Sequence, residues 1–91
     1  MLVDVISAQP LHHHQLRLRF NDGAEGIVDI AKLVARKGVF APLLAEDYFR
    51  QLRVDPELGT IVWPNGADID PMVLWSAATG QPTPFAAGVT A

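Results

Sequence analysis

Three consecutive histidines, His12, His13 and His14, are the side chains in this sequence best suited to chemistry. In an extended segment His12 and His14 point the same way, so their imidazoles could hold a divalent metal. A third ligand would have to come from an Asp or Glu elsewhere, and no spacing specifies which. Solvated histidines where a loop becomes a strand are the simpler expectation, and no metal site is assigned. The stretch Asn65-Gly66-Ala67-Asp68-Ile69-Asp70 offers two nearby carboxylates. It lacks the D-x-[DN]-x-[DN]-G order and the closing Glu of a calcium loop, so Asp70 is expected to cap a helix and Asp68 to bond the turn. Ser7 and Ser76 are the only serines, and neither lies in G-x-S-x-G. Neither nucleotide-binding glycine motif occurs. With no cysteine there is no disulfide, thiolate metal site or thiol nucleophile. These absences lead to the expectation of a protein that is not an enzyme, with no catalytic residues and no cofactor.

The strands that carry the remaining candidates are legible. In Gln15-Leu16-Arg17-Leu18-Arg19-Phe20 the apolar residues alternate without error, which predicts a strand with Leu16, Leu18 and Phe20 inward and Arg17 and Arg19 outward. Val3, Val5 and Ile6 suit a first strand that Pro10 ends. Asn21-Asp22-Gly23 suits a tight turn, and the return strand is expected at about residues 24–29, centred on Ile27 and Val28, with Gly26 at a bulge or close approach. Asp29 is expected to cap a helix over roughly residues 30–36, with Arg36 and Lys37 near its negative end and Gly38 stopping it. Phe40, Leu43, Leu44, Tyr48 and Phe49 read as mostly core, on one or two short helical turns after Pro42.

Leu52 and Val54, the turn Pro56-Glu57-Leu58-Gly59, and Thr60-Ile61-Val62-Trp63 form a second predicted hairpin. Asp70 and Pro71 open a last helix, which Gly80 closes. The order is α+β: a two-layer domain of about five mostly antiparallel strands with helices on one face. The second hairpin is expected to join the first sheet. Arg17, Arg19 and Arg53 then project from its open face as the candidate partner-binding residues.

Length and charge set the limits. A chain of 91 residues buries roughly 64% of its unfolded surface, enough for one domain, expected over 1–79 with a flexible tail over 80–91. Hydrophobic residues at 49% and charged residues at 19% exclude a disordered acidic or basic chain. All seven Lys and Arg lie in the first 53 residues against six carboxylates, whereas residues 54–91 carry four carboxylates alone. The net charge of −3 speaks against a nucleic-acid partner. Trp63, Trp75 and Tyr48 could stack on bases, but their positions suit core packing better. No apolar run spans a membrane, and Asp4 stands where a signal peptide carries positive charge. A cytoplasmic bacterial protein is the simplest expectation.

Leu16-Arg17-Leu18-Arg19-Phe20-Asn21-Asp22-Gly23, Val28-Asp29-Ile30, Phe40-Ala41-Pro42-Leu43 and, most specifically, Trp63-Pro64-Asn65-Gly66-Ala67-Asp68-Ile69-Asp70-Pro71 carry a resemblance. The chain resembles the small bacterial domain-of-unknown-function family 2442 from about Met1 to Ala78. Trp75 stands where that family often has a tyrosine. The resemblance implies a compact α+β domain, often encoded beside a second small protein in a toxin–antitoxin-like pair, and it brings no catalytic residues. Some members carry an added helix-turn-helix domain, where this sequence has a short Pro/Gly segment. The leading expectation is a non-catalytic protein-interaction module whose partner is another small protein encoded nearby. A homodimer is a further possibility. The alternatives are a DNA-contacting regulator using Arg17, Arg19 and Arg53, and a weak metal-binding protein using the histidines.

Overall fold

The computed structural model describes residues 3–34 and 38–81. The expected tail beyond Gln81 and the cationic helix end at Arg36 and Lys37 lie outside those residues.

The strand with unbroken alternation is the centre of the fold. β2 (Gln15–Phe20) lies between β1 (Val5–Pro10) and β3 (Glu25–Asp29) in an antiparallel sheet. Leu16, Leu18 and Phe20 are fully buried on one face. Each contributes roughly 2 kcal/mol of apolar burial relative to exposure. The β2–β3 turn closes as its residues dictate. Gly23 takes φ +90°, and Asp22 Oδ1 accepts the Ala24 N–H at 2.9 Å.

Asp29 caps α1 (Ile30–Leu33) by accepting the Lys32 N–H, as expected, but the helix is shorter than the spacing suggested. Gly38, expected to end that helix, instead opens a 3-10 segment (Gly38–Leu44) at φ +65°. α2 (Glu46–Phe49) follows. Leu43 and Phe49 are buried, but Leu44 is half exposed and does not belong to the core.

The second hairpin pairs β4 (Arg53–Asp55) with β5 (Thr60–Val62). All of β5 is buried, and Thr60 Oγ1 donates to the Ile69 carbonyl to satisfy its hydroxyl. α3 (Pro71–Thr79) has Asp70 as its cap, accepting the Met72 N–H at 2.7 Å, and ends on left-handed Gly80. Among the described residues no helix is long and apolar enough to cross a membrane.

The five antiparallel strands form an α+β fold, but in two sheets rather than one. The reason lies in β1. Val5 N–H bonds the Gly59 carbonyl at 2.9 Å, and the register then shifts between Val5 and Ser7. Beyond that bulge the outer edge presents Pro10, which has no N–H to give a neighbouring strand. The second hairpin therefore meets the first sheet at one end and packs behind it. Phe49, Ile61, Trp63, Ile69, Met72 and Leu74 join Leu16, Leu18 and Phe20 in one core.

Candidate interaction surface

β2 positions the candidate cations because one face of its sheet is committed to the core. Opposite that core, Arg17 stands between Gln9 on β1 and Ile27 on β3, and Arg19 stands between Ser7 and Glu25. Arg19 Nε lies 3.6 Å from Glu25 Oε2, an exposed pair worth at most about 1 kcal/mol. Among the described residues Arg17 has no ion pair and no side-chain hydrogen bond. Its neighbour Ile27 is 50% exposed. The outer face thus carries an unpaired guanidinium beside an uncovered β-branched side chain. Ile27 was legible as a surface residue, because the period of two that buries Val28 turns its neighbour outward.

Arg53 does not share this sheet. It stands on β4 of the second hairpin, with Nη1 3.4 Å from Asp55 Oδ2. The Asp55 carboxyl is held below its ordinary range, first by the N–H groups of Leu58 and Glu57, against some desolvation, and then by Arg53. Arg53 and Asp55 are thus partners two residues apart on one strand.

The histidines do not form an extended strand. His13 and His14 both have φ near +60°, and Gln15 N–H returns to the His12 carbonyl at 3.3 Å. Two successive left-handed residues reverse the chain, so the run is the β1–β2 turn. His14 packs inward, its ring 5.0 Å from that of Phe49. His14 Nε2 donates to the Leu43 carbonyl at 2.7 Å, and Nδ1 faces Glu46 Oε1 at 3.8 Å. His12, His13, Leu11, Glu46 and Arg50 line an open cleft of about 800 Å³.

Within this cleft Arg50 Nε pairs with Glu46 Oε2 at 3.3 Å, and that oxygen is shut off from solvent without a well-aligned hydrogen bond. Among the described residues no group of three or more His, Asp or Glu is placed to hold a metal. No local pattern announces the cleft, because it forms only when the turn at His12 and the helix at Glu46 meet across the core.

The most specific sequence stretch, Trp63 to Pro71, performs structural tasks. Trp63 is buried, with Nε1–H donating to the Phe49 carbonyl at 2.9 Å. Asn65 Oδ1 accepts the Ala67 N–H, Tyr48 Oη accepts the Asn65 N–H, and Gly66 takes φ +87°. Asp68 extends the hairpin through a bridge to Val62, and Asp70 caps α3. The pattern is a turn joining β5 to α3.

No curated protein and no solved structure matches the chain. A family model does match, over residues 5–80, which contain both sheets and the three α-helices of the described residues. The chain belongs to the family described as protein of unknown function (DUF2442).

Proposed function

We propose that the protein is a non-catalytic protein-interaction module that presents the outer face of its three-stranded sheet to a second protein in the bacterial cytoplasm. The observation that carries this reading is the neighbouring pair Arg17 and Ile27, a cation without a partner among the described residues beside a half-exposed apolar side chain. Arginine is enriched in the buried centres of protein interfaces, where its fork and stem both find contacts. The reading is further supported by the histidines: half-buried His14 is held against Phe49 and the Leu43 carbonyl and the other two line an open cleft, with neither serine beside them in the turn. The two-gene, toxin–antitoxin-like arrangement implied by the family resemblance makes the small protein encoded next to this one the first partner to try.

Co-expression with that neighbour tests the reading. The two proteins are expected to co-elute, and Arg17→Glu combined with Ile27→Asp should abolish co-elution with an unchanged melting temperature. Separate elution of the unsubstituted proteins at micromolar concentration overturns the proposal. A mobility shift with DNA that fades as salt rises, without co-elution, would favour a DNA-contacting regulator instead.

A further inference from the structure

The two edges of the three-stranded sheet are built differently. On β3, Phe20 N–H bonds the Ala24 carbonyl and Ile30 N–H bonds the His14 carbonyl, each at 2.9 Å. With Gln15 opposite Asp29 and Arg19 opposite Glu25, alternation assigns the ladder bonds of β3 to Gly26 and Val28. Glu25 and Ile27 therefore turn both main-chain groups away from the sheet, and Asp29 does so with its N–H. Among the described residues no strand pairs with that edge. The edge of β1 is closed by the opposite devices: the Val5–Gly59 bond, the bulge and Pro10.

Charge decides what fits the open edge. Across the outer face β2 carries Arg17 and Arg19, and β3 carries Glu25 and Asp29 on either side of Ile27. The signs alternate from strand to strand, so the next position outward favours cations. Self-pairing centred on Ile27 would set Glu25 opposite Asp29 of a second copy, and like charges placed directly opposite are destabilising. We infer that the β3 edge accepts a strand from a different protein, with basic residues flanking an apolar one on its outer face. The added strand takes its affinity from main-chain hydrogen bonds and its specificity from the Glu25 and Asp29 carboxylates. This deepens the interaction reading above and rests on it.

Amide hydrogen exchange on the full chain tests it. The probe is a short extended peptide whose alternate residues read lysine, isoleucine, lysine, compared with the same peptide carrying glutamate at both lysine positions. The basic peptide is expected to slow exchange at Glu25, Ile27 and Asp29, and the acidic peptide to leave them unchanged. Glu25→Lys should weaken the basic peptide roughly five-fold. Asp29→Asn keeps the helix cap while removing the second charge, and should weaken it further. Ile27→Pro should abolish docking, since it deletes an outward donor while leaving the β2 ladder intact.

Equal protection by both peptides, protection confined to the His12–Gln15 turn, or prior protection of the three amides in a self-associated protein overturns the inference. If the neighbouring gene's product co-elutes through Arg17 while these amides stay unprotected, the edge inference falls and the interaction module stands. If no partner co-elutes and neither peptide docks, both fall.

Discussion

The indole Nε1–H of Trp75 donates to Asp22 Oδ2 at 3.0 Å, tying the last helix to the β2–β3 turn. The other Asp22 oxygen holds the turn itself through Ala24 N–H. One carboxylate therefore serves a local and a long-range task. Trp75→Phe should destabilise the fold by about 1.5–3 kcal/mol, the value of a hydrogen bond to a charged group. Asp22→Ala should lose more, since it also loosens the turn. Denaturant unfolding checks the order, and an equal effect of the two substitutions would contradict the double role.

Gly26 lies where α3 crosses β3, and a Cβ there would collide with the Ala78 carbonyl. The obstacle is backbone, so no side-chain rotation relieves it. Gly26→Ala should cost about 1–3 kcal/mol through overpacking, even though the substitution lowers unfolded-chain entropy. A melting temperature equal to or above that of the unsubstituted protein would show that the helix can withdraw freely.

The histidine turn yields a contrast between neighbours. His13 is exposed and left-handed, so His13→Gly relieves roughly 1 kcal/mol of backbone strain, partly offset by chain entropy, and should leave stability unchanged or raised. His14→Ala removes the donor to Leu43 and the ring against Phe49, and should lose about 1–3 kcal/mol. Thermal unfolding of both variants tests this, with the prediction failing if His13→Gly is the more damaging change.

Acid should act on the second hairpin through Asp55. Its carboxyl is held below the ordinary value of 3.8, mainly by Leu58 N–H and then Glu57 N–H. A lowered folded value means that its stabilising contribution is present above 3.8 and disappears as pH falls through the lowered value. The carboxyl-carbon titration of Asp55 should have its midpoint below 3.8, and Asp55→Asn should remove the hairpin's share of the acid response. A midpoint at or above the ordinary value would mean that the turn bonds are not kept in solution.

What sequence reading recovers here follows from the range of each interaction. The alternation from Gln15 to Phe20, the Asp29 and Asp70 caps and the left-handed glycines at 23, 59, 66 and 80 are set by near neighbours, and all were legible. The shared sheet was not, because a bulge at Ile6 and the edge position of Pro10 depend on how the strands are ordered. The placement of Arg53 erred for the same reason. Consecutive left-handed histidines went unforeseen, since glycine and asparagine are the residues expected there. The cleft at Glu46 and the open β3 edge required the assembled ladder.

The Trp75–Asp22 tie also sets an order of events. The first three strands emerge early in synthesis, yet much of the cover of the apolar face formed by Leu16, Leu18 and Phe20 comes from later residues, Leu43 and Phe49 through Trp75. Until then it is a sticky half-structure with an exposed flank, the kind of species that aggregates or recruits a chaperone. The short N-terminal ribbon is therefore incomplete until that later segment packs against it.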